Sequence, residues 1–403
     1  MRVLFTTWNM NGHLNPMVPL GWALRAAGHE VVVASNPDLV PAITRSGLPA
    51  LGVGPQFDSF GVLVEQVKAR GWRPTPPVDP EAEPDGAVAR IRRRSLLGLR
   101  VAVQAADAQA DELVAFCRDW RPDLVVFEPT GYAGLLVARL HGIPAVRHLW
   151  SVDLSAPVAE FETDLVGELA ARFGLDRLGI NGDVTLDPCP APIQVHDGLP
   201  RRPIRFVPYN GPSVVPDWLR EPPSAPRICI TWGTSLDRFG FDDLIIAPAV
   251  AEALTDCDVE VVIAVADSQR DLFGPLPGNV RFLGPVPLHL VLPSCAGVVH
   301  QGGAGGTMTS LLFGVPQVVL AAMPDGVFHA RQVERAGAGR YLPAQQATTQ
   351  SIRDAVLSIL DGDYPGTARA LRDRMLAMPA PVRVAADLAE LAGLAQPAGV
   401  PVP

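Results

Sequence analysis

The sequence predicts an α/β protein of two successive doubly wound domains that face each other across a cleft. Three observations carry that expectation. Strand-length apolar runs alternate with helix-length segments from the first residues onward. Prolines crowd the stretch from Asp187 to Pro226, and beyond it the same alternation restarts at Arg227. Alternation of this kind implies right-handed crossovers and parallel sheets covered on both faces, a Rossmann-like architecture. The 403 residues suit two domains of roughly 200 each.

Each element follows from a local pattern. Val3 to Trp8 is a short apolar run and reads as a buried parallel strand bounded by the polar Asn9 to Gly12. A helix is expected from about Pro16, since proline suits a first turn, with its stop at Gly28. A strand at Glu30 to Ala34, a helix at Pro37 to Arg45 and a strand at Leu48 to Val53 continue the series. From Gly54 to Ser95 the pattern dissolves, through Pro74-Thr75-Pro76-Pro77, an acidic run to Asp85 and the basic Arg90 to Arg94. This reads as a long irregular insertion of functional use. A long helix to Trp120, a strand at Asp123 to Phe127, a helix from Tyr132 to His141 and a strand at Ala145 to Trp150 follow.

The second half repeats the grammar with a strand at Arg227 to Thr231, a helix at Asp243 to Leu254, and strands at Val259 to Val265 and Val280 to Leu283. Gly297 to His300 is a strand, Thr307 to Phe313 a helix, Gln317 to Leu320 a strand and Thr349 to Leu360 a helix. The expected division is residues 1–212, a Pro-rich linker at 213–226, residues 227–380, and a C-terminal helix or tail at 381–403 that returns to the first domain. In open α/β sheets ligands sit beyond the carboxyl ends of the strands, so the loops facing the cleft are where chemistry is expected.

Composition narrows the function. A net charge of −9 argues against nucleic acid as a partner, because the overall field repels phosphates. An anionic nucleotide remains admissible, since helix N-termini act locally. Five scattered cysteines without a CxxC pair form neither a disulfide framework nor a zinc site, which fits a reducing cytosol. The apolar run at Met1 to Phe5 is too short for a signal peptide, and no run reaches the ~18 apolar residues of a membrane span. The expectation is a soluble cytoplasmic protein.

The most specific segment is His300-Gln301-Gly302-Gly303-Ala304-Gly305-Gly306-Thr307, running from a strand end into a helix. Its glycines let backbone approach a ligand, and the helix N-terminus offers unpaired N–H groups to an anion. His300 adds a side-chain donor in this reading; the competing one is a tight turn beside a core histidine. The spacing is neither a P-loop nor GxGxxG. In Asn11-Gly12-His13-Leu14-Asn15-Pro16, His13 follows the first strand into the cleft, and a neutral imidazole is a group suited to taking a hydroxyl proton near neutrality. A merely structural loop histidine is the alternative. Glu128, closing the strand Asp123 to Phe127, is placed to orient His13 and stabilise its imidazolium, or else to cap the next helix. Asp325, in Asp325-Gly326-Val327-Phe328-His329, is a candidate for sugar hydroxyls, or a solvated loop acid. Asp256-Cys257-Asp258 and Asp361-Gly362-Asp363 sit wrongly against their strands for a metal pair and read as loop acids, so no metal is expected.

Gly12-His13-Leu14-Asn15-Pro16 early and His300 to Gly305 late together resemble the GT-B glycosyltransferases. Within them the chain is similar to bacterial natural-product enzymes that attach deoxysugars to polyketide or enediyne aglycones. Pro122 to Val126 and Thr231-Trp232-Gly233-Thr234-Ser235 extend the likeness over nearly the whole chain. The resemblance implies inverting, metal-independent transfer from an NDP-sugar, dTDP- or UDP-linked, to a hydroxyl of a hydrophobic aglycone, with no bound cofactor. His13 would be the base and Glu128 its partner, one methylene longer than the aspartate usual in the family. His300, Gly303, Gly305, Gly306 and Thr307, with Thr234 and Ser235, would hold the donor diphosphate. Val286 and Leu292 match where the family holds the base, and Asp325 and His329 where it meets the sugar. Gly326 stands where glutamine often follows and His329 where asparagine is common, which suits a sugar poor in hydroxyls. The acceptor is expected in the first domain, against the stretch Gly54 to Ser95 and the aromatics Trp8, Phe60 and Trp150. A homodimer and an auxiliary activator protein are the macromolecular partners the resemblance leaves open. Two other functions fit the same scaffold: a sugar-nucleotide epimerase and a non-catalytic nucleotide-sugar binder. The long insertion argues against the first, and the joint presence of His13 and the glycine segment against the second.

Overall fold

A computed structural model describes residues 1–71, 84–155, 159–195 and 198–393, with backbone alone at 84–96 and 160. The first sheet contains β1 (Arg2–Thr6), β2 (Glu30–Ser35), β3 (Ala50–Gly52), β4 (Leu124–Phe127), β5 (Ala145–His148), β6 (Val184–Asp187) and β7 (Arg202–Pro203). The second contains β8 (Arg227–Trp232), β9 (Glu260–Val265), β10 (Val280–Gly284), β11 (Gly297–His300), β12 (Gln317–Ala321) and β13 (Gly339–Pro343). Helices α1 (Asn11–Leu14), α2 (Val18–Ala26), α3 (Val40–Arg45), α4 (Ser59–Ala69), α5 (Pro84–Trp120), α6 (Tyr132–His141) and α7 (Ala159–Arg172) belong to the first domain. The second carries α8 (Ser235–Phe239), α9 (Ala247–Ala253), α10 (Leu288–Val291), α11 (Ala304–Phe313), α12 (Pro324–Arg335), α13 (Thr349–Leu360) and α14 (Tyr364–Leu376). The last helix is α15 (Pro381–Leu391).

Both sheets are parallel throughout, ordered β3-β2-β1-β4-β5-β6-β7 and β10-β9-β8-β11-β12-β13. The strand order therefore reverses between β1 and β4 in one sheet and between β8 and β11 in the other, and crevices open at such reversals. The central strands are buried on both faces: β4 reads Leu-Val-Val-Phe and β9 Glu-Val-Val-Ile-Ala-Val, each fully buried. Register places Thr6 level with Phe127 and Thr231 level with His300, so the loops after each pair of strands emerge side by side.

Packing joins the domains at three places. Val152, Cys189, Ile193 and Phe206 of the first domain share an apolar cluster with Met308, Leu311, Val333 and Met375 of the second. Across the cleft, Val67 of α4 enters the second domain's core, Phe60 meets Phe239 at 4.6 Å, and the Arg238 guanidinium lies 3.7 Å from the Phe60 ring centre. The chain then crosses back: the Arg205 N–H donates to Pro379 O at 2.8 Å, and α15 buries Val384, Ala385 and Leu388 in the core beneath β1 and α2. No helix among the described residues is long and apolar enough to cross a membrane.

Two expectations change. The stretch from Gly54 to Ser95 is not one irregular insertion, because α4 and the start of α5 lie within it. Phe60, Leu63, Val64 and Val67 recur at helical spacing and are buried, and the Asp58 side chain caps the turn by accepting from Gly61 N–H at 2.9 Å. The segment Pro74 to Pro77 lies outside the described residues, as does the tail beyond Ala395. The first helical segment also begins earlier than Pro16. Met10 is extended, Asn11–Leu14 is α-helical, Asn15–Met17 is 3₁₀ and α2 continues from it, so His13 belongs to a helical turn rather than a loop.

Candidate active site

A cleft of about 1580 Å³ lies between the two switch points, lined by residues after β1, β4 and β5 on one wall and after β8, β11 and β12 on the other. On the first wall His13 is half-buried and Glu128 fully buried, with Nδ1 to Oε2 at 3.0 Å. Burial raises the Glu128 pKa, yet the charge of His13, its hydrogen bond and the backbone donors outweigh that, leaving the carboxyl below its ordinary value. Those donors are Trp8 N–H at 2.8 Å and Thr130 N–H at 2.8 Å, with the Thr130 hydroxyl at 2.8 and 2.9 Å from the two oxygens. An ionised carboxylate only accepts, so Nδ1 carries the imidazole proton and Nε2 keeps the free lone pair. The Glu128 carboxylate is thus fastened from the loops after both β1 and β4. Trp8 and Trp150 pack on the imidazole, at 5.2 and 4.3 Å between ring centres. Trp8 is itself held by Nε1–H donating to Ser59 Oγ at 2.6 Å.

The opposite wall is built from backbone. Gly303, the N-cap of helix α11, has extended dihedrals and makes no side-chain cap. Ala304, Gly305 and Gly306 line the cleft's second wall, and as the first turn of the helix their N–H groups have no intrahelical acceptor and lie at the positive end of the dipole, worth about half an elementary charge. Beside Gly305 there is open space, which leaves room for an anion. Gly302 has φ +90°, and a Cβ there would come within 2.7 Å of Gly326 Cα and O. That close approach locks the start of α12 against the glycine turn, and only glycine permits it. Thr234 and Ser235 are exposed at the start of α8 and line the cleft, as does Asp325 in the first turn of α12. Phe60 and Gln301 are also on its lining.

Four residues are placed differently from the sequence reading. His300 does not face the cleft: it is 1% exposed, its Nδ1 accepts from Gly302 N–H at 3.0 Å and its Nε2–H donates to Gln317 Oε1 at 2.8 Å. Burial pushes its pKa down to about 4, so it is a neutral brace beneath the glycine turn. Thr307 is buried, with N–H and Oγ1–H both donating to Gly303 O at 3.0 Å, the first bond of the helix. Leu292 is in the core with Cys229, Val262 and Val298, whereas Val286 lines a separate pocket of about 480 Å³ with Val265, Phe282 and Pro287. His329 spans the domains: Nδ1–H donates to Gly302 O at 2.8 Å and Nε2 accepts from Ser151 Oγ–H at 2.8 Å, so neither nitrogen is left for a sugar. Burial, opposed by Asp325 and by the bond to Gly302, keeps this ring's pKa low. Asp256, Asp258, Asp361 and Asp363 flank α9 and α13 outside the cleft.

Sequence reading missed Thr130, Ser59, Ser151 and Gln317. All are hydroxyl or amide residues whose role is to satisfy another group's hydrogen bonds, and nothing in their spacing marks them. Thr130, two residues beyond Glu128 in Glu128-Pro129-Thr130, left the one available signal.

Residues 22–233 match the model of the erythromycin biosynthesis protein CIII-like N-terminal domain, and 249–391 that of the corresponding C-terminal domain. Among curated proteins, the 10-deoxymethynolide desosaminyltransferase of Streptomyces venezuelae is 38% identical over 97% of both chains. The L-demethylnoviosyl transferase of Streptomyces niveus is 39% identical over 96% of this chain and 98% of its own. Among solved structures, glycosyltransferase VinC in complex with dTDP superposes with a TM-score of 0.80 at 31% identity, covering 98% of this chain and 100% of its own. Spinosyn rhamnosyltransferase SpnG with spinosyn aglycone gives 0.81 at 30% identity, covering 96% and 100%. Two parallel-sheet domains of this kind, at this similarity, are the GT-B fold.

Proposed function

We propose that this chain, which belongs to the erythromycin biosynthesis protein CIII-like family of glycosyltransferases, moves a deoxysugar from a dTDP-sugar to a hydroxyl of a hydrophobic aglycone, with inversion and without a metal. The observation that carries the reading is the His13–Glu128 pair at 3.0 Å, its free Nε2 in the same cleft as the open N-terminus of α11.

The acceptor hydroxyl would give its proton to Nε2 as its oxygen forms the new bond to the anomeric carbon and the bond to the diphosphate oxygen breaks. Glu128 meets the positive charge that His13 then carries. Negative charge growing on the departing diphosphate meets the N–H groups of Ala304 to Gly306, with the Thr234 and Ser235 hydroxyls beside them. Attack from the wall opposite the leaving group inverts the anomeric centre. VinC and SpnG have each been solved in complex with thymidine diphosphate, which supports dTDP as the carrier. With His329 engaged between Ser151 and Gly302, Asp325 is the one acid or imidazole of that helix turn left for the sugar, which supports a donor with few hydroxyls.

Incubation with dTDP- and UDP-sugars and 10-deoxymethynolide, tylactone or aklavinone, with EDTA in one arm, tests the reading. Expected are release of nucleoside diphosphate, an anomeric configuration opposite to the donor's by NMR, and rates unchanged by EDTA. Faster turnover of UDP-glucose than of dTDP-deoxysugars sinks the donor assignment; a retained configuration sinks the mechanism.

A further inference from the structure

Two buried carboxyls on the cleft lining, Asp153 and Glu162, are not used by the dyad; Asp153 is paired with Arg147 and Glu162 is not. Glu162 of α7 is 1% exposed. Its Oε1 accepts from Tyr132 Oη–H at 2.7 Å, while its Oε2 is buried with no hydrogen-bond partner among the described residues. Arg147, whose charge acts on Glu162, does not supply one, and its own buried Nε is likewise without a partner among the described residues. Arg147 spends its terminal nitrogens on Asp153 at 2.9 and 3.0 Å, on Asn181 at 3.2 Å and on Ser155. A carboxyl oxygen left without a donor in a dry place is costly, and a ligand that brings the donor removes the cost. The lining of the same cleft includes the apolar Leu63, Leu99, Leu149, Val152 and Trp150 beside the polar Asp153 and Ser155.

We propose that Glu162 is a specificity-determining residue that takes a hydroxyl of the acceptor on Oε2, anchoring the aglycone while another of its hydroxyls lies at His13 Nε2. The proposal rests on the transferase reading above. Its chemistry selects a hydroxyl rather than an ammonium. Burial lifts the Glu162 pKa to about 7 against the Tyr132 hydrogen bond and the Arg147 charge, with Asp153 and Glu128 adding to the rise. A hydroxyl can donate to the carboxylate and accept from the acid, so it fits both forms present near neutrality; an ammonium fits one.

The test uses the full chain and equilibrium binding of 10-deoxymethynolide, tylactone and aklavinone, each also as its singly O-acetylated forms. Binding is followed by quenching of tryptophan emission, with dTDP titrated in parallel. Glu162→Leu is expected to weaken aglycone binding about tenfold, the loss of one ordinary hydrogen bond, and to leave dTDP binding within twofold. Acetylation at the anchoring hydroxyl should weaken the wild type similarly and Glu162→Leu no further. Tyr132→Phe, which keeps Oε2, should bind aglycone within twofold of wild type, whereas a purely structural Glu162–Tyr132 pair predicts equal damage from both variants. Unchanged aglycone binding in Glu162→Leu, dTDP and aglycone weakened alike, additive acetylation losses, or no aglycone bound by the wild type each overturn the proposal. Should Glu162→Leu fail to fold, Glu162→Gln replaces it: discrimination among the acetylated forms is expected to change, and unaltered discrimination overturns the proposal. Glu162-dependent binding without any transfer from dTDP-sugars would instead overturn the function proposed above and leave the anchor standing.

Discussion

The two switch points of this molecule have the same topology and opposite chemistry. Beyond β1 and β4 the cleft wall is made of side chains: an imidazole with one free nitrogen and a carboxylate held by four donors. Beyond β8 and β11 it is made of backbone, the uncapped start of α11 set by glycines. Each wall has a histidine, His13 in the helical turn after β1 and His300 at the end of β11, yet His13 keeps Nε2 for the cleft and His300 keeps neither nitrogen. Position at a switch point therefore does not assign a role. What assigns it is which valences the surrounding fold leaves unspent.

Breaking the first wall should have the largest effect. His13→Ala is expected to lower transfer about 10³-fold, the ordinary worth of a general base, with the dTDP dissociation constant unchanged. Initial rates and calorimetric titration measure the two, and comparable losses in both would erase the distinction between the walls.

The second prediction concerns His300. An exposed imidazole takes a proton near pH 6.5, but buried His300 does so only near 4. Between those values the unfolded chain binds more protons, so stability is full above about pH 6.5 and falls on acidification toward 4, by about 3 kcal/mol from this group. His300→Gln should flatten that portion of the pH–stability curve in urea titrations. A variant with the wild-type acid slope and a selective loss of turnover would return His300 to the chemistry.

Glu128→Gln should cost about 10² in kcat without weakening nucleotide binding, because an amide cannot balance the imidazolium. The smallest effect is expected from Thr130→Val, which removes one of the carboxylate's donors and should slow transfer about tenfold. A loss from Thr130→Val as large as that from Glu128→Gln would mean that the threonine, not the carboxylate, sets the imidazole.

The proximity of His13 and Glu128 was legible because they follow strands of unmistakable pattern, Val3 to Thr6 and Leu124 to Phe127, whose register brings the loops after them together. The sequence placed the glycine turn for a similar reason: glycine at a strand–helix junction has few other uses. It misjudged Leu292 and His329, which lie in segments where apolar, amide and imidazole groups suit a core and a ligand site equally. It also took α4 for loop, although Phe60, Leu63, Val64 and Val67 already had helical spacing.

Alternation, strand polarity and the glycine spacing are local properties, with periods of two and 3.6 residues that a single chain displays along its length. From them follow two parallel sheets, a cleft at their reversals and an anion-ready helix start. Whether a given nitrogen or oxygen remains free is not local. His300 is occupied by Gln317, His329 by Ser151 at a separation of 178 residues, and Glu162 keeps one oxygen unpaired among the described residues while Tyr132 takes the other. Hydrogen-bond capacity is spent between elements distant in the chain, so it becomes visible only once those elements are packed.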